Sequence, residues 1–152
     1  MINIPAQNEK LVLDTHILVW YAEGIHLTTI QIESIENFRK KDNLYISAIS
    51  IWEIALLVSK GKIIFSVTLT EWVDKLLSLP GLNIIDLSVP VLLESCNLPN
   101  YQHKDPADRL IISSVRLNNF YLLTVDQNIT EYGKSGYLKI LDANLIPPTT
   151  SL

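Results

Sequence analysis

The sequence predicts an α/β protein, an α/β/α sandwich built on a five-stranded parallel sheet. Two observations predict it. Five short apolar runs occur along the chain, and the stretches between them carry helical spacing with cap and stop signals. Short apolar strands that alternate with helices form a parallel sheet covered on both faces. Right-handed crossovers then restrict the topology to a doubly wound sandwich.

The elements follow in order. Lys10–Asp14 (KLVLD) reads as a short buried strand, and THILVWYAEG as a helix ending near Gly24. Thr28–Lys41 is helical, with Ile32, Ile35 and Phe38 on one stripe and its basic residues at the carboxyl end. Asn43–Ser47 is a second strand. A helix follows with Ile51, Ile54, Ala55 and Val58 in phase and Gly61 as its stop. Thr68 and Glu71 have capping-box spacing at the head of a helix that closes at Pro80-Gly81. Leu82–Leu87 is a third strand, and Ser88 caps a helix stopped before Pro99. The stretch HKDPADRLIISS opens a helix running to about Asn118: Pro106 suits the first helical position, Asp105 the cap, and Asp108 the first turn. Phe120–Asp126 gives a fourth strand and Tyr137–Leu141 a fifth.

Composition narrows the function classes. The 152 residues suit one domain spanning 1–152, with 1–9 and 147–152 as loose tails. A single cysteine, Cys96, excludes an internal disulfide and a thiolate zinc site, and the three histidines form no HExxH-type pair. No apolar run approaches the roughly 18 residues of a membrane span, and no signal-peptide core is present. A cytoplasmic protein with no membrane association is expected. The net charge of −4 does not exclude a nucleic-acid partner, because setting aside five acids of one site leaves the remainder weakly positive.

The placement of the acids carries most of the functional information. Asp14 ends the first strand and Asp126 the fourth, each behind an apolar run (LVLD, LLTVD). Glu53 lies one turn into the helix after the second strand, within ISIWEIALL, and Asp108 lies in the first turn of the helix leading to the fourth. Each has a purely structural reading, as a helix cap or a solvated helix residue. Together they fall at the carboxyl edge of the predicted sheet, where doubly wound folds bind ligands. Two carboxylates about 4 Å apart repel by roughly 4 kcal/mol at an effective dielectric of 20. A cluster of four therefore requires a cation or shared protons. Oxygen-only ligands favour Mg²⁺, or Mn²⁺, over zinc or copper.

The blocks LVLDTHILVW, YISAISIWEIALLVSKGKI, HKDPADRLIISSVR and YLLTVD, in this order, resemble the PIN-domain family, specifically its VapC-like toxin ribonucleases. The resemblance runs from Leu11 to about Leu141. It implies a PIN-like sandwich and an acid set of Asp14, Glu53, Asp108 and Asp126, with Asp105 as cap and support. It also implies a metal-dependent endoribonuclease using one or two Mg²⁺ ions, an RNA substrate, a cognate antitoxin covering the groove, and a homodimer. Asp14 and Asp108 are the expected direct ligands, Asp126 completes the site through water, and Glu53 is ligand or base. Thr15 and Thr124 orient carboxylates or phosphate, or simply fill β-compatible positions. Arg109 meets a phosphate oxygen or a neighbouring acid, and His103 serves the loop rather than acting as a general acid. Trp20, Tyr21, Trp52 and Trp72 supply interface or core. Two other functions use the same fold: a DNA- or structure-specific nuclease, and a catalytically inactive protein-binding module. A haloacid-type phosphatase is disfavoured, since His16 stands where it needs a second aspartate.

Overall fold

A computed structural model of the protein describes residues 8–142. Five parallel strands, β1 (Leu11–Leu13), β2 (Leu44–Ser47), β3 (Leu82–Ile85), β4 (Tyr121–Thr124) and β5 (Ile140–Asp142), form one sheet in the order β3-β2-β1-β4-β5. Seven helices connect them: α1 (Thr15–Glu23), α2 (Thr29–Lys40), α3 (Ala48–Ser59), α4 (Leu69–Leu77), α5 (Val89–Ser95), α6 (Pro106–Asn118) and α7 (Gln127–Lys134).

The sheet separates two apolar cores, as strand alternation requires. Leu11 and Leu13 face a core completed by Ile17 and Leu18 of α1, Ile35 of α2, Ile54 of α3 and Trp72 of α4. Val12 faces the other, with Ile111, Ile112 and Val115 of α6 and Ile129 and Tyr132 of α7. All three β1 residues are fully buried, which explains the unbroken apolar run LVL. Of the four aromatics expected as interface or core, Trp72 stacks on Phe65 at 4.4 Å and is core, whereas Trp52 is 53% exposed.

Local chemistry sets the boundaries. Thr28 and Gln31 form a reciprocal capping box at α2, whereas Thr68 supplies only the forward bond at α4, accepting from the Glu71 amide at 3.2 Å. The third strand stops at Ile85, two residues short of expectation, and the fifth is shifted to Ile140–Asp142. Helix α7 was not expected. Its sequence, QNITEYGK, has little apolar content, and Gly133 lies inside it. A Cβ on Gly133 would meet Ile140 at 2.3 Å, so close helix–strand packing requires the glycine that weakens the helical pattern. Of the expected tails only residues 8 and 9 are described, and Glu9 pairs with Lys139 at 3.5 Å; the rest lies outside the described residues.

Candidate active site

The strand order reverses between β1 and β4, and the crevice beyond their carboxyl ends is where such sheets bind ligands. The register pairs Leu13 with Leu123, so Asp14 and Thr124 follow side by side, and the Asp14 amide donates to the Leu123 carbonyl at 3.0 Å. Asp14 caps α1, accepting from the Thr15 amide at 2.8 Å through Oδ1. Its Oδ2 accepts from the Thr124 hydroxyl at 2.6 Å. The carboxyl is 5% exposed, and burial raises its pKa against the lowering effect of these bonds.

The other acids arrive by the same device. Ser47 ends β2 and caps α3 through the Ile49 amide, and α3 carries Glu53 to the site, where Oε1 accepts from the Thr15 hydroxyl at 2.6 Å. Asp126 caps α7 through the Ile129 amide at 3.0 Å, while its own amide donates to Thr124 Oγ1 at 3.0 Å. Asp105 caps α6 by accepting from the Asp108 amide at 3.0 Å, with Pro106 behind it in the first turn. Four helix N-termini thus open toward one crevice, and their dipoles offset part of the negative charge there.

Electrostatics identify Asp108 as the meeting point. Its carboxyl is pushed up to about 7, first by burial and then by the fields of Asp105, Asp14, Asp126 and Glu53. Glu53 is raised by burial and by Asp14 and Asp105, with Thr15 and His16 opposing. Five acids spread over 113 positions of sequence therefore act on one another in the fold.

They do so at a distance. Among the described residues no three His, Cys, Asp or Glu side chains stand in an arrangement that holds a metal ion. The expected tight cluster is in this respect corrected. Asp14, Glu53 and Asp126 each accept from a local hydroxyl or amide. The donor set still fits a hydrated hard cation. It offers oxygen only, and the Asp108 carboxylate accepts no hydrogen bond among the described residues. Beside it the buried Tyr101 hydroxyl, in the field of Asp108 and Asp126, also has no partner.

Arg109 makes no ion pair with an acid among the described residues; its guanidinium donates to the carbonyls of Ser95 (2.8 Å), Tyr101 (3.1 Å) and His103 (2.8 Å). These carbonyls belong to the end of α5 and the following loop, which fall within the reach of a side chain at the first turn of α6. His103 takes part through that carbonyl and an edge contact with the Tyr101 ring. Two site residues were not anticipated, His16 and Ser50. Ser50 lies three positions before Glu53 on the same helical face, a spacing that marks it as a neighbour. Next to the acids, a groove of about 590 Å³ runs past Thr15, His16, Trp20, Lys62, Ile64 and Phe65.

Residues 11–135 match the sequence profile of the PIN domain. The chain belongs to the PIN domain family. This PIN chain is 27% identical over 123 residues to ribonuclease VapC22 of Mycobacterium tuberculosis, covering 80% of the chain and 91% of that protein. Its fold resembles a chain of VapBC2 from Rickettsia felis, solved bound to promoter DNA, with TM-score 0.65 at 21% identity, covering 87% of this chain and 97% of that one. A chain of DNA-bound VapBC from Salmonella typhimurium gives TM-score 0.63 at 15% identity, over 89% and 98%. The fold is shared with these two solved chains.

Proposed function

We propose that this PIN chain is a Mg²⁺-dependent endoribonuclease, the toxin of a type II toxin–antitoxin pair, acting in the cytoplasm. The observation that carries the proposal is the convergence of the Asp14, Glu53, Asp105 and Asp126 carboxylates on partly buried Asp108, whose pKa is pushed up to about 7 first by burial and then by their fields. Such perturbation in a crevice marks a functional site. The resemblance to ribonuclease VapC22 supports RNA as substrate.

The reaction adds water across a phosphodiester: an oxygen–phosphorus bond forms as the bond to the 3′ oxygen breaks. At this site Mg²⁺ would supply charge compensation on the phosphoryl group and acidity for the water. Asp14 and Asp108 would hold the ion, with Asp126 completing the site. Thr124 fixes Asp14 Oδ2, leaving the other lone pairs of this carboxylate for the site. Glu53 has Oε1 occupied by Thr15, so Oε2 is the atom that would hold the ion or take the water's proton. The N-termini of α1, α3, α6 and α7 favour a phosphate at the same place.

The antitoxin is assigned to the groove at Trp20, where apolar walls adjoin the acids. VapBC complexes among the structural relatives support such a partner, and exposed Val89 (67%) and Leu93 (63%) on α5 suit the contact between two copies of a homodimer. The test is cleavage of labelled RNA and of single-stranded DNA by the purified protein. RNA is cut with Mg²⁺ or Mn²⁺, and EDTA stops it. Asp14→Asn and Asp108→Asn lose at least about 100-fold in rate while staying folded. Cutting that persists in EDTA, or full activity in both variants, removes the proposed site, and cutting of DNA alone replaces the substrate.

A further inference from the structure

Ser50 is fully buried in the first turn of α3, between the apolar Ile49 and Ile51. A helical serine commonly bonds back to the carbonyl three or four positions earlier, here Ser47 or Ile46. Instead its Oγ lies 2.8 Å from Thr15 Oγ1, across to another element and 35 residues away in sequence. Thr15 in turn donates to Glu53 Oε1 at 2.6 Å. A hydroxyl has one proton. Since Thr15 gives its proton to the carboxylate, the bond between the two hydroxyls must run from Ser50 to Thr15. The order is therefore fixed: Ser50 to Thr15 to Glu53, a directed chain in which the first two groups are almost wholly buried.

We infer that Ser50 is a positioning residue for the active site, acting on Glu53 through Thr15. Its donation leaves Thr15 a single orientation, with the hydroxyl proton aimed at Oε1, and so turns Oε2 toward the crevice. Thr15 is also the first residue of α1, and its amide binds Asp14. One residue thereby ties two of the acids, and Ser50 sets its rotor. Hydroxyl chains of this kind strengthen each bond they contain. The inference rests on the metal-site reading above, but not on RNA as the substrate.

The experiment measures Mn²⁺ affinity by electron paramagnetic resonance titration, with melting temperature alongside, for wild type, Ser50→Ala, Thr15→Val and the double variant. Partners of metal ligands that lie outside the coordination sphere change affinity about 10–100-fold. A loss of about tenfold is expected in S50A and at least that in T15V, with the double variant no weaker than T15V. Effects that multiply, or an unchanged affinity in S50A, overturn the relay. Ser50→Thr keeps the hydroxyl and guards against a folding artefact: it retains wild-type affinity, whereas a loss equal to that of S50A assigns the effect to packing and also overturns it. Wild-type protein that binds Mn²⁺ but leaves RNA uncut sinks the ribonuclease reading alone. Wild-type protein that binds no Mn²⁺ overturns both.

Discussion

Thr124 shows how much one hydroxyl does in this fold. It is fully buried, donates to Asp14 Oδ2 and accepts from the Asp126 amide, so it braces two acids at once. Removing it leaves a buried carboxylate oxygen unpaired, which costs about 1–3 kcal/mol. Thr124→Val is thus expected to lower unfolding free energy by that amount in urea titration and to lose activity, whereas Thr124→Ser retains most of both. Asp108 gives a second test at this scale. Its pKa rises from 3.8 unfolded to about 7 folded, so the folded state holds the proton more tightly. Its contribution is fully present below pH 4 and is lost as pH rises through 7. Metal-free protein should therefore melt at a lower temperature at pH 8 than at pH 5.5, through this group. Asp108→Asn, or saturating Mg²⁺, should flatten the slope; a slope unchanged in the variant shows that other groups carry it.

At the scale of elements, the site is made by helix starts. Asp14, Asp105 and Asp126 are caps, and Ser47 caps the helix that delivers Glu53. These positions were legible because cap chemistry is local: DPADR fixes the start of α6 with no knowledge of the rest. What was not legible is the choice between cap and ligand, since an aspartate at a helix start satisfies both descriptions. The role of Arg109 was also hidden. Its three carbonyl partners lie on a segment whose path is set by tertiary packing, and carbonyls leave no mark in a sequence. The clamp holds the chain between α5 and α6, immediately before Asp105. Arg109→Ala should orphan those carbonyls, cost about 1–3 kcal/mol, and make residues 96–104 the first site cut in limited proteolysis. Arg109→Lys should rescue little, because an ammonium cannot reproduce the spread of a guanidinium fork. Helix α7 was missed for the opposite reason, its glycine being explained only by Ile140 on a strand yet to come.

On the scale of the molecule, strand order was only partly readable. Alternating elements and crossover handedness gave a doubly wound sheet, and the clustering of acids at its carboxyl edge followed. The adjacency of β1 to β4, which makes the crevice, rests on pairings over 110 residues that periodicity does not encode. The same long-range dependence predicts that a fragment ending at residue 119, lacking β4, α7 and β5, shows no cooperative melting and no metal binding, as read by circular dichroism and Mn²⁺ titration.

That adjacency has a consequence for how the protein is made. Asp14 emerges from the ribosome before the other acids, and the hydroxyl that braces it and the acid beside it come 110 and 112 residues later. A nascent chain therefore cannot assemble the acid set until the segment as far as Asp126 is outside the exit tunnel. On the proposed function, a cell translating this message is spared cleavage by half-made copies, and the proposed partner has that interval in which to be ready.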